Sequence, residues 1–184
     1  GLGTSPVSGL PFVIRLITGI SMGTFTFLFN MLFLILEAIL RRKFTLQQAL
    51  QIPITFAFSF FIDRFMAMIP TRFGGPWGSS FVYLVIGCVV MALGISLEVM
   101  ADVIMLPAEA LVRAISQTTG MKFGNVKVGF DSFLTVSAMI VALLAFHKLN
   151  GVREGTLINA IAVGNIVKLW RKLLEGAITV FLEK

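Results

Sequence analysis

PVSGLPFVIRLITGISMGTFTFLF, residues 6–29, returns in outline 101 positions later as PAEALVRAISQTTGMKFGNVKVGF, residues 107–130. Aligned without a gap, the stretches match Pro6 with Pro107, Leu10 with Leu111, Ile14 with Ile115, Thr18 with Thr119, Gly19 with Gly120, Gly23 with Gly124 and Phe29 with Phe130; Asn30 then meets Asp131. The shared proline and glycines set backbone geometry, so each stretch predicts the same shape: a short helix opened by proline, a glycine stop, then an apolar helix. Duplication in so apolar a chain points to a membrane protein built from two related halves.

Composition agrees. Hydrophobic residues make up 57% of the chain and charged residues 13%, and the mean hydropathy is +0.95; soluble domains are roughly 45–50% apolar and 25% charged. Apolar runs fall at 23–40, 50–69, 80–103, 124–146 and, more weakly, 155–167. The breaks carry Arg41-Arg42-Lys43, a Pro/Gly-rich segment at 70–76, the segment 107–120, and Lys148 to Arg153. The cations sit in clusters between apolar runs, which is loop placement and makes a nucleic-acid partner unexpected. Cys88 stands alone in an apolar run, so no disulfide framework or cysteine metal site is expected. His147 is the single histidine, and no nucleophile elbow or phosphate-binding loop occurs. An enzyme, a cofactor and a metal are therefore not expected.

The repeat also predicts topology. The second copy is preceded by the run 80–103, whereas the first begins with the chain, so a helix upstream of Gly1 is expected and two units of three spans follow. An odd number of spans per unit inverts the second relative to the first. The expected fold is an all-α membrane protein: a polytopic helical bundle of five visible spans, six when intact, built as a 3+3 inverted repeat with short re-entrant or interfacial helices. A single membrane domain covers 1–184, with half-repeats at 1–70 and 79–172 and a C-terminal amphipathic helix at 169–184. Ten of the fifteen cations (Arg41, Arg42, Lys43, Arg113, Lys122, Lys127, Lys168, Arg171, Lys172 and Lys184) fall on one side of such a bundle. The positive-inside rule makes that side, and the C-terminus, cytoplasmic.

Polar groups inside spans cost roughly 2.5–3.5 kcal/mol each when charged, so each needs a reason. The candidates are Asn30, Glu37, Asp63, Arg64, Glu98, Asp102, Lys127, Asp131, Asn159 and Asn165. Lys127 and Asp131, four apart, are placed to pair, and the adjacent Asp63 and Arg64 are explained by a place near the membrane interface. Glu98 and Asp102 would repel on one helix face, so either a proton or cation is handled there, or Asp102 sits at headgroup level while Glu98 bonds to a facing helix. The Pro-led helices offer free backbone N–H groups at their starts: Thr4 and Ser5 lead into the first, an anion-attracting end, and Glu109 lies in the first turn of the second. Candidate substrate- or ion-binding residues are thus Thr4, Ser5, Asn30, Glu98, Asp102, Glu109, Lys127 and Asp131. A third glycine-rich element, Gly151 to Thr156, opens the weakest run, which Gly164 and Asn165 interrupt.

The stretches Gly1-Leu2-Gly3-Thr4-Ser5-Pro6-Val7-Ser8, Gly94-Ile95-Ser96-Leu97-Glu98-Val99, Met105-Leu106-Pro107-Ala108-Glu109 and Gly151-Val152-Arg153-Glu154-Gly155-Thr156 resemble those of the bacterial YczE/YyaS/YitT membrane-protein family, nearest its YczE-like branch. The resemblance implies a bacterial inner-membrane protein with one more helix ahead of the first motif, and no particular chemistry. Two functions are open: a small transporter or membrane substrate-binding subunit with a midplane site, and a non-transporting accessory or assembly factor. A transporter predicts a midplane cavity lined by Glu98, Asn30 and Asp131. The expected partners are the lipid bilayer, a small-molecule or ion substrate, and a second copy or a partner membrane subunit.

Overall fold

The structure, a computed structural model, describes residues 2–68, 77–101, 103–148, 151 and 153–182, with the backbone alone at 77 and 175–182. These residues form α1 (Pro6–Thr18), α2 (Met22–Arg41), α3 (Leu46–Met68), α4 (Trp77–Ala101), α5 (Pro107–Thr119), α6 (Phe123–Phe146) and α7 (Glu154–Leu182), with no strand among them.

The repeat is legible in the backbone. Pro6 and Pro107 open α1 and α5, where a fixed φ helps and a missing N–H costs nothing. Gly19 and Gly120 close them in the left-handed region, at φ 74° and 71°. Thr18 and Thr119 donate hydroxyl hydrogen bonds to Ile14 O and Ile115 O at 2.9 and 2.8 Å. Ser21 then caps α2 by accepting from Thr24 N at 3.1 Å.

Packing repeats as well. α2 lies antiparallel on α3, since Glu37 meets Gln51 and Ser21 meets Asp63. α6 lies against α7 in the same manner, with Gly124 beside Gly164 and Lys168. A Cβ on Gly23 would come 2.5 Å from Asp63 Oδ2, and one on Gly124 2.6 Å from Gly164 O, so both crossings require glycine for close approach. The short helices cross over: α1 packs on α6, and α5 packs on α2. Where they meet, Phe33, Ala108, Leu111 and Leu134 form a core with Phe29 and Phe130, the Phe33 and Phe130 rings 5.4 Å apart. α5 is buried on all sides from Pro107 to Val112 and exposed at its end, a course suited to a re-entrant segment enclosed by protein.

α4 packs on α7, placing Cys88, Ala92, Ile95, Val163 and Val167 in one apolar cluster, so Cys88 is a core hydrophobe. Outward faces carry large apolar side chains, among them Phe56, Phe65, Phe133 and Leu144, each more than half exposed. Such a surface suits hydrocarbon rather than water. Four helices among the described residues are long and apolar enough to cross a membrane: α2, α3, α4 over Gly78–Ala101, and α6. The protein is a polytopic helical membrane protein. The fifth apolar run, 155–167, is the first half of α7, which continues unbroken to Leu182, into the segment expected as an amphipathic helix. α7 is continuous across Gly164 and Asn165, whose Nδ2 donates to Ile161 O at 2.9 Å.

Candidate functional site

Glu109, in the first turn of α5, faces α6 at the depth where Lys127 and Asp131 stand one turn apart. Lys127 Nζ lies 3.1 Å from Glu109 Oε1 and 3.1 Å from Asp131 Oδ1, and Lys127 and Asp131 are fully buried. Asp131 Oδ2 accepts no hydrogen bond. Glu98 comes in from α4 and accepts from Leu106 N, the N-cap amide of α5, close enough to Glu109 and Lys127 to interact with both charges. Two carboxylates thus gather at the positive end of α5, where free N–H groups favour them. In all, three carboxylates meet one ammonium inside the protein, an excess that desolvation penalises strongly.

The other expected residues are placed elsewhere. Asp102 lies outside the described residues, so the Glu98–Asp102 pairing does too. Asn30 is buried but donates to Thr26 O of its own helix at 2.8 Å. Ahead of α1, Thr4 N donates to Thr156 Oγ1 at 3.1 Å and Gly155 N donates to Leu2 O at 2.9 Å, so the start of α7 packs beside Thr4 and Ser5, with Thr4 Oγ1 unpartnered. Among the described residues of the two glycine-rich motifs, Leu2, Gly3 and Thr4 meet Arg153, Gly155 and Thr156 in one close contact. Asp63 does not pair with Arg64. It accepts from Ser21 Oγ at 2.6 Å and Gly23 N at 2.7 Å, while Arg64 stacks over Phe60. Lys127, counted among the loop cations, belongs to the interior.

The model of a family of unknown function, DUF6198, matches residues 1–172. The chain belongs to that family. No curated protein and no solved structure matches it.

One group of side chains was not singled out from sequence. Along α3, Gln48, Gln51, Thr55 and Ser59 are all buried on one stripe, and Gln51 and Ser59 meet Glu37 and Gly23 of α2. Glu37 is held by Arg41 Nε at 2.8 Å and by Gln51 Nε2 at 3.3 Å, and Gln48 Oε1 accepts from Thr45 N at 2.8 Å. Four polar atoms of the stripe have no partner, Gln48 Nε2, Gln51 Oε1, Thr55 Oγ1 and Ser59 Oγ, and neither has Thr26 Oγ1 of α2. Buried polar groups are ordinarily satisfied, so a run of exceptions asks for a partner. The signal was in the sequence: polar residues spaced three, four and four apart in an apolar run share one helix face. A polar cavity of about 210 Å³ opens at this seam, lined by Glu37, Arg41, Gln48 and Gln51 rather than by Glu98, Asn30 and Asp131.

Proposed function

We propose that the protein is a small transporter, or the substrate-binding membrane subunit of one, in which residues 1–70 and 79–172 act as inverted halves around the buried charged centre. The observation that carries this reading is Lys127, fully buried and shared between Glu109 of α5 and Asp131 of α6, with Asp131 Oδ2 unpartnered. Intramembrane ion clusters of this kind mark substrate or ion pathways. With carboxylates in excess, uptake of a proton or cation offsets buried negative charge and loosens the grip of Lys127 on Glu109. That frees α5, which packs on the opposite half, to shift relative to α6. Crossed short helices between related halves are the parts alternating access uses. The resemblance to YczE/YyaS/YitT proteins supports a bacterial inner-membrane location, and the cation distribution supports a cytoplasmic Arg41-Arg42-Lys43 loop and C-terminus.

The test is gradient dissipation in proteoliposomes containing the purified full-length protein, screened across solute pools under imposed proton or sodium gradients. Wild-type protein is expected to accelerate dissipation with at least one pool, and Asp131→Asn, which keeps the side-chain shape, to abolish the effect while remaining monodisperse. Wild-type vesicles indistinguishable from empty ones throughout would overturn the reading in favour of an accessory or assembly role.

A further inference from the structure

Two pockets stand at matching places in the two halves, at the starts of α2 and α6, and their charges are opposite. In the first half Gly23 and Asp63 line the pocket. Asp63 accepts from Gly23 N at 2.7 Å and from Ser21 Oγ at 2.6 Å, so the protein's own carboxylate occupies the positive end of α2. In the second half Lys168 takes the place of Asp63: a Cβ on Gly23 would meet Ser59 O and Asp63, and one on Gly124 would meet Gly164 O and Lys168. Lys122 takes the place of Ser21 at the N-cap, makes no side-chain cap bond, and leads into a first turn without an acid. A helix start that favours an anion is thus met by cations.

Four cations line this second pocket, Lys122, Lys168, Arg171 and Lys172, with Phe123 and Val167 as its apolar wall. Among the described residues no carboxylate lines it. Lys168 Nζ donates to Asn165 Oδ1 at 3.0 Å, a neutral partner that does not offset its charge. The volume, about 480 Å³, falls within the roughly 300–1,000 Å³ of pockets that hold ligands. The positive-inside rule accounts for cations on this side of the bundle, but not for four of them converging on one helix start. Met121, Leu169 and Leu173, next to these cations in sequence, are each more than half exposed, which sets the pocket beside hydrocarbon.

We infer that this pocket binds the phosphate of an anionic phospholipid headgroup, in the place that the Asp63 carboxylate fills in the first half. Ammonium and guanidinium donors and free helix amides all suit phosphate oxygens. Basic pockets between membrane helices on the cytoplasmic side hold such headgroups. A zwitterionic headgroup would bring a further cation to a site that already has four. Free phosphate shares the charge of the headgroup but has no acyl chains to lie against Leu169 and Leu173. The site stands apart from the charged centre at Lys127 and does not depend on the transport reading.

The test is thermal unfolding of the purified full-length protein in an uncharged detergent, with short-chain phosphatidylglycerol, short-chain phosphatidylcholine or inorganic phosphate at equal concentration. Phosphatidylglycerol is expected to raise the melting temperature, and the other two to leave it unchanged. Lys122→Gln and Lys172→Gln, at exposed positions, are each expected to weaken the apparent affinity for phosphatidylglycerol about fivefold. The double variant Arg42→Gln, Lys43→Gln, which removes two cations outside the pocket, is expected to keep it. Lys168→Asp, which supplies the carboxylate found in the first half, is expected to abolish the shift. No shift with phosphatidylglycerol, or an equal one with phosphatidylcholine, overturns the inference; an equal shift with inorganic phosphate overturns the lipid as its source. Affinity that falls as far in the Arg42, Lys43 variant as in the pocket variants also overturns it, because charge alone would then account for binding. Should Lys168→Asp fail to fold, the two exposed lysine variants decide, and unchanged affinity in both overturns the site.

Discussion

Lys127 stands in α6 where Thr26 stands in α2, 101 positions earlier, and both are buried almost completely, at 0% and 2% exposure. The correspondence extends to their surroundings. Asp131 answers to Asn30, and Glu109 of α5 answers to Ser8 of α1. One half therefore holds a neutral set, Ser8, Thr26 and Asn30, where the other holds an ionic one. A duplicated fold tolerates either at the same depth, so the ionic version is not demanded by the architecture.

That asymmetry yields the first prediction. Lys127→Thr alone strands Glu109 and Asp131 as buried acids and is expected to destabilise by about 3–5 kcal/mol, the cost of breaking a buried pair. The triple change Glu109→Ser, Lys127→Thr, Asp131→Asn copies the neutral half and is expected to recover most of that loss while abolishing gradient-driven flux. Thermal unfolding of the two variants in detergent checks it. A triple variant no more stable than the single one would mean that the charges hold the fold together.

Glycine at the helix crossings gives the second. Gly124→Ala drives a Cβ against the backbone oxygen of Gly164, which no side-chain rotation relieves, and an overpacking cost of about 1–3 kcal/mol is expected. Gly129 lies on the same helix with nothing within 4 Å of its would-be Cβ, so Gly129→Ala is expected to be neutral or slightly stabilising. Melting temperatures that fall equally in both would exclude the close approach to Gly164 as the reason for glycine at 124.

How far the sequence foretold this arrangement depends on the range of the interaction. The bounds of α1 and α5 were legible because proline, glycine and threonine act within a turn of their own positions, and the Lys127–Asp131 pair because its spacing is a helix repeat. Glu109 joining that pair was not, since it depends on how α5 docks on α6. The partners of Asp63, Ser21 Oγ and Gly23 N at the start of α2, were not legible for the same reason, since they depend on how α3 packs on α2. The stripe on α3 was overlooked because attention to charge passes over neutral glutamine, serine and threonine, although in hydrocarbon an unsatisfied amide is also costly.

Glu98 separates charge from capping. Glu98→Gln keeps an oxygen for Leu106 N and is expected to leave stability nearly unchanged while impairing flux, whereas Glu98→Leu removes the acceptor and is expected to cost about 1 kcal/mol or more through the orphaned start of α5. Paired unfolding and flux assays on the two variants read this directly. Full flux in Glu98→Gln would confine the residue to holding α5 in place.

The inverted arrangement is tested at the ends of α2 and α6. Each helix closes on a non-glycine residue in the left-handed conformation, Arg42 and His147, both at φ 53°. Lys43 and Lys148 follow immediately, and both are exposed. If the halves are inverted, these matching positions face opposite sides of the membrane, and the cation bias assigns Lys43 to the cytoplasm. In a Cys88→Ala background, a cysteine at Lys148 is expected to react with an impermeant maleimide in intact cells, and one at Lys43 only after permeabilisation. Labelling of both from the same side would exclude the inversion, because two helices related by a two-fold axis in the membrane plane cannot end on one face. Reversed labelling, Lys43 outside and Lys148 inside, would keep the inversion and overturn only the orientation.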